Sequence, residues 1–249
     1  MTNEVDKEKL VALLKERERR HRENRIDQFF PDKGEHARHL YPKHLAFFKA
    51  GAQHGERAFI AGNRCGKTIA GAVEMTYHLT GLYPEWWEGR RFNKAISAWA
   101  AGISNETVRD IIQKELLGNF LELGTGMIPK HLLVGRPVNK PGVPQAIDKC
   151  YVQHISGGIS ELGFKAYAQE AESFMGTAKD VIWLDEEPTK YNIYTECLTR
   201  TMTTKGIIYL TYTPLHGLSD VVMSFLPGGK IPDGNVVPSD YMFETQSHK

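Results

Sequence analysis

The chain has 249 residues, 41% hydrophobic and 24% charged, which is the balance of an ordinary folded protein with the length for one large α/β domain and extensions. No apolar run approaches the roughly 20 residues that cross a bilayer, and the opening Met-Thr-Asn-Glu-Val-Asp lacks the order of a secretory signal. Neither a membrane protein nor an exported one is expected, and the net charge of +1 leaves any contact with DNA to a local patch.

Residues 4–25 are dense in Glu, Lys and Arg around a narrow stripe of Leu10, Leu13 and Leu14, which predicts a solvated helix ending near Arg25. Its basic stretch Lys15 to Arg25 has two readings, an exposed helix held by charge pairs or a contact for a partner or for phosphates. Pro31-Asp32-Lys33-Gly34 is a turn, and Tyr41-Pro42 opens a short helix with Leu45, Phe47 and Phe48 before Gly51. From Gly55 the chain alternates. A strand is predicted over Ala58 to Ala61, a helix from Lys67 to about Leu79, a strand over Ala95 to Ala101 and a helix from Thr107 to about Leu117.

Residues 121–149, rich in Gly, Pro and Lys, read as a long connection of unassigned structure, with an excursion from the core as one reading. Strands are expected again at Cys150 to Ile155, Val181 to Leu184 and Gly206 to Tyr212, with a helix from about Tyr191 to Arg200 before the last. Such alternation implies a mainly parallel sheet with helices on both faces. The expected division is a helical N-terminal extension at 1–55, an α/β core at 56–215 and a C-terminal segment at 216–249.

A polyphosphate needs many donors in a small concavity, and a Gly-rich turn entering a helix supplies backbone N–H groups aimed at one point. Ala61-Gly62-Asn63-Arg64-Cys65-Gly66-Lys67-Thr68 has that form, between the strand Arg57 to Ile60 and the helix beginning Ile69. The usual first glycine, five positions before Gly66, is Ala61 here, followed directly by Gly62. The loop backbone from Gly62 through Gly66 would cradle the phosphates of ATP, Lys67 would bridge β and γ, and Thr68 would place its hydroxyl on Mg2+. Arg64 has two readings, a group on the γ-phosphate in the transition state or a brace paired with a carboxylate.

Val181-Ile182-Trp183-Leu184-Asp185-Glu186-Glu187-Pro188 is an apolar strand that ends in carboxylates, where metal and ligand chemistry sits in such sheets. Asp185 would hold the magnesium and Glu186 would orient the attacking water, with Glu187 structural or solvated. The plainer alternative is an acidic turn capping the next helix. Ile207 to Thr213, stopped by Pro214, would let the Thr213 hydroxyl sense a γ-phosphate if its strand lay between the other two; the alternative is simply a β-rich strand stopped by proline. Asn139-Lys140-Pro141-Gly142 begins like a guanine-reading element but lacks its aspartate, so adenine is favoured. Cys65, Cys150 and Cys197 fit neither a disulfide framework nor a zinc site, and His36, His39 and His44 complete no metal spacing. Together the pieces predict a three-layer α/β/α P-loop NTPase of the RecA-like (ASCE) type with an N-terminal helical extension.

Phe59 to Thr68, Ile182 to Pro188 and Leu210-Thr211-Tyr212-Thr213-Pro214-Leu215 together resemble, in order and spacing, the large terminase subunit of tailed double-stranded DNA bacteriophages. Supporting stretches are Gly71 to Glu74, His78 to Gly81, Asn105 to Val108 and Leu198 to Thr201, and the resemblance spans about Tyr41 to Val222. It implies a Mg2+-dependent motor ATPase that drives double-stranded DNA into a procapsid in the cytoplasm of a bacterial host. The implied partners are the portal protein and a small terminase subunit, with a homo-oligomeric ring when assembled and a monomer alone. It also implies coupling through Thr213, a part in hydrolysis for Arg64, and adenine reading at His44, where relatives often carry a glutamine. Relatives continue into a nuclease domain; 35 residues follow Pro214, so no nuclease activity is expected of this chain. The alternatives are a helicase-like translocase and a nucleotide-binding assembly module without turnover.

Overall fold

The computed structural model describes residues 2–169, 171–214, 217 and 219–226, with the backbone alone at 2–6 and 242–244. Leu215 of the third motif and most of the segment 216–249 lie outside the described residues.

Helix α1 (Thr2–Glu23) leads through short 3-10 turns to α2 (Pro42–Ala50). The ion pairs Glu16–Arg19 at 2.8 Å, Glu16–Arg20 at 2.7 Å and Arg19–Glu23 at 2.5 Å lie at helical spacing and favour the charge-pair reading of the basic stretch. Its end is tied to the body by Arg25–Glu115 at 2.9 Å and Lys130–Glu23 at 3.3 Å, while Leu10, Leu13 and Leu14 stay exposed.

The core then runs β1 (Glu56–Ile60), α3 (Lys67–Thr80) and β2 (Ser97–Gly102). The next helix begins two residues earlier than expected because Ser104 and Thr107 form a reciprocal cap. It comprises α4 (Asn105–Thr107), a π-helical stretch (Val108–Gln113) and α5 (Lys114–Leu117). There follow β3 (Val138–Asn139), β4 (Ile147–Gln153), β5 (Ile159–Ala166), β6 (Val181–Asp185), α6 (Tyr191–Met202), β7 (Ile207–Tyr212), α7 (Asp220–Ser224) and β8 (Met242–Glu244).

Among the described residues these strands form one sheet in the order β3-β4-β5-β2-β6-β7-β1-β8. The five from β5 to β1 are parallel and the outer pairings antiparallel. Helices on both faces enclose β6 and β7, every residue of which is buried. Trp183 and Tyr209 pack with Phe47, Val73 and Met75 on one face; Ile182, Leu184 and Leu210 pack with Ile193, Tyr194 and Phe225 on the other. The α/β/α architecture is therefore the expected one.

Two expectations are corrected. The strand at Cys150 is not part of the parallel set: it hairpins through residues 154–158 onto β5, a strand not foreseen, because so short a connection can only return antiparallel. Residues 121–149 do not leave the core. Met127 and Ile128 are wholly buried, and their N–H groups bond the Glu115 and Leu116 carbonyls at 2.8 and 2.9 Å.

Candidate active site

The turn from β1 into α3 lies at the carboxyl ends of β1, β7 and β6, with β7 in the middle. Gly66 caps α3 at φ 82°, a left-handed conformation in which a side chain is strained, and an added Cβ would lie 3.2 Å from His44 Nε2. Lys67 is 7% exposed, so its charge is held close to the loop. Its ammonium donates to the Gly62 carbonyl at 2.7 Å and to Thr213 Oγ1 at 2.9 Å. The Thr213 hydroxyl in turn lies 3.0 Å from the Ala61 carbonyl and 2.9 Å from Asn63 Oδ1, two acceptors for its single proton. Cys65 Sγ donates to the Gly62 carbonyl at 2.9 Å.

Thr68 Oγ1 lies 3.1 Å from Asp185 Oδ1 and 3.3 Å from Oδ2. Burial pushes the Asp185 carboxyl up to about 7; hydrogen bonds from Thr211 and Thr68 and the charge of Lys67 pull it down, while the charge of Glu186 raises it further. An all-oxygen pair of hydroxyl and carboxylate, with the carboxylate short of positive charge, suits a hard divalent cation such as magnesium.

Glu186 is half-buried and adopts φ 64°, an uncommon left-handed conformation for a side-chain-bearing residue. The turn is held by its N–H on the Thr211 carbonyl at 3.0 Å and by the Tyr167 hydroxyl near the Glu186 and Asp185 carbonyls, at 2.9 and 3.1 Å. Glu187 accepts a hydrogen bond from Ser219, the cap of α7, which is a structural use.

Arg64 is also left-handed, at φ 64°, and forms no ion pair among the described residues, which leaves the brace reading without a partner. His44 is buried, its ring bonded to the backbone of Cys65 and Gly66 and set edge-on to Phe59 at 4.9 Å; burial lowers its pKa below the ordinary 6.5. The polar edge of the imidazole is thus engaged by the loop itself. Beside it opens a cavity of about 260 Å³ lined by Phe29, Phe30, His36, Tyr41 and Ile69 together with Arg64, Cys65 and Gly66. Asn139 is far from all this, on the strand at the opposite edge of the sheet.

Sequence reasoning missed Thr211 and Tyr167. Thr211 carried a signal, a hydroxyl in an otherwise apolar central strand, since a buried polar group requires a partner. For Tyr167 there was none.

Residues 58–241 match the family model described as terminase large subunit, T4likevirus-type, N-terminal. The chain belongs to that family. It is the family the three motifs pointed to, and the matched span contains all of them. This terminase chain is 36% identical over 237 residues to the large terminase subunit of Salmonella phage P22, covering 87% of itself but 45% of that relative. It therefore spans less than half the length of the curated relative it matches. Among solved structures it is similar to the large terminase ATPase domain of Thermus phage P74-26, with a TM-score of 0.47 at 15% identity over 70% of this chain and 64% of that one. It is also similar to the large terminase of the thermophilic bacteriophage D6E in complex with ADP, with a TM-score of 0.45 at 9% identity over 69% of this chain and 37% of that one.

Proposed function

We propose that this terminase chain is the ATPase motor part of a viral DNA-packaging machine. The observation that carries the reading is the meeting of Lys67, Thr213, Thr68 and Asp185 at the ends of three adjacent parallel strands. A phosphate-binding lysine, a metal-type pair and a strand-end carboxylate for water form the set that Mg-ATP hydrolysis requires.

The loop N–H groups of Gly62, Asn63, Arg64, Cys65 and Gly66 bind the phosphates, and Lys67 exchanges its contacts with Gly62 and Thr213 for the β- and γ-oxygens. Thr68 and Asp185 would hold a magnesium ion, which would supply neutralising charge to the phosphates. Glu186, fixed by its turn, orients the attacking water and polarises it. Arg64, which pairs with no carboxylate among the described residues, meets the charge on the γ-phosphate. Once Lys67 is drawn onto the nucleotide, Thr213 loses that donor, so the threonine reports γ-phosphate occupancy to β7.

His44 braces Gly66 and does not read the base; adenine occupies the neighbouring cavity against Phe29, Tyr41 and Ile69. The D6E large terminase in its complexes with ADP and ATP-gamma-S is a precedent for nucleotide binding in such a protein. Double-stranded DNA, the portal protein and a small terminase subunit are the proposed partners, in a homo-oligomeric ring in the cytoplasm of the bacterial host. Glu186→Gln is the test: phosphate release should fall by at least about a hundredfold while nucleotide affinity stays within about threefold. Undiminished hydrolysis by that variant would refute the assignment.

A further inference from the structure

Trp183, in the middle of β6, is fully buried, stacked on Tyr209 with ring centroids 6.2 Å apart and planes 17° from parallel. Helix α3 comes so close at Gly71, whose carbonyl accepts from the Tyr209 hydroxyl at 2.9 Å, that an added Cβ would lie 2.5 Å from the indole Nε1. An indole N–H can only donate, and this one donates to Thr211 Oγ1 at 2.7 Å. Thr211 Oγ1 is 2.7 Å from Asp185 Oδ1. With the hydroxyl accepting from the indole, its one proton is directed to the carboxylate. Trp183 and Thr211 are 0% exposed and Asp185 4%, so bulk water does not compete and the relay has one polarity, indole to hydroxyl to carboxylate.

We propose that Thr211 is a positioning residue for the metal-binding carboxylate, with Trp183 fixing the sense of its hydroxyl. The relay occupies one lone pair of Oδ1 and sets the carboxylate plane, so that both oxygens face the Thr68 hydroxyl, at 3.1 Å for Oδ1 and 3.3 Å for Oδ2. This inference rests on the reading of Asp185 and Thr68 as the magnesium-holding pair. Thr211 and Thr213 are two apart, so β7 and the residue directly after it supply both the support of the carboxylate and the resting partner of Lys67.

The test compares Thr211→Val, which keeps the shape and removes the hydroxyl, with Thr211→Ser, which restores it. Calorimetry measures the affinity for ATP-gamma-S in EDTA and in Mg2+, beside the Mg2+ concentration that half-saturates hydrolysis. Thr211→Val should bind as the parent does in EDTA, lose about tenfold of the Mg2+-dependent tightening and need about tenfold more Mg2+. Thr211→Ser should recover most of both. A valine variant with the full Mg2+ increment, or a serine variant no better than valine, overturns the proposal.

If the valine variant fails to bind in EDTA, Trp183→Phe decides: it should show a smaller loss in the same Mg2+-dependent quantity, and an unchanged increment refutes the relay. A parent protein that binds ATP-gamma-S with no response to Mg2+ overturns the magnesium reading and this inference with it. A loss confined to the variants implicates the relay alone.

Discussion

Replacing Asp185 by asparagine should stabilise the nucleotide-free protein. The carboxyl, ordinarily at 3.8, is pushed up to about 7 by burial, so folding at neutral pH forces an ionised group into a site that disfavours it. For a carboxyl whose folded pKa is raised, stability is greatest below the unfolded value, falls as pH rises between the two values, and is flat above the folded one. Each tenfold in proton affinity is worth about 1.4 kcal/mol, so the span from 3.8 to about 7 corresponds to roughly 4 kcal/mol at pH 8. The amide oxygen can still accept from Thr211, and its NH2 can face the Thr68 hydroxyl, so little should be lost in the exchange. Urea melts in EDTA should show the asparagine variant more stable by about 2–4 kcal/mol at pH 8 and by less than half as much at pH 5. Mg2+ and nucleotide should stabilise the parent and not the variant. Equal stability at pH 8, or a gap that does not shrink on acidification, would refute the argument.

Gly71→Ala ought to destabilise although it replaces a mid-helix glycine: the gain of about 1 kcal/mol in helix propensity is outweighed by about 1–3 kcal/mol of overpacking against Trp183. A raised urea midpoint would show that the indole yields freely. The Arg57 guanidinium, 4.6 Å from the Phe47 ring centroid and 5.1 Å from that of Tyr209, is paired with fully buried Glu74, so Glu74→Gln should cost about 3–5 kcal/mol by leaving that charge uncompensated. Burial pushes the Glu74 carboxyl up, but Arg57 and His78 outweigh it and hold it below the ordinary 4.5. The stability it contributes is therefore present above that value and lost as pH falls further. Thermal melts of the Gln variant should lose part of the parent's acid sensitivity below pH 4.5, and an unchanged acid limb would count against the pairing.

The parts legible in the sequence are those whose chemistry is local. Ala61 to Thr68 must be contiguous, because one turn has to aim several N–H groups at one anion. The strand of Asp185 and Glu186 announces itself by an abrupt change from apolar to acidic. What escaped depends on partners distant in sequence. Thr211 gains its meaning from Trp183 and Asp185 on the next strand, and the hidden ion pair of Arg57 with Glu74 joins a strand to a helix. The β5 strand carries Gly163 against the Trp99 ring, a close approach that weakens its strand pattern and shows only in three dimensions. His44 was singled out by its position ahead of the loop, but its approach to Gly66 shows only in the fold.

The contacts of Lys67 with Gly62 and Thr213 bear on how the cycle resets. A lysine with no alternative partner would cling to whatever phosphate remained, and the spent nucleotide would leave slowly. Here the ammonium has a berth within its own chain, so on the proposed reading nucleotide entry and departure would be exchanges between two satisfied arrangements. On that reading, turnover depends as much on letting go as on binding, and that berth would ease the letting go.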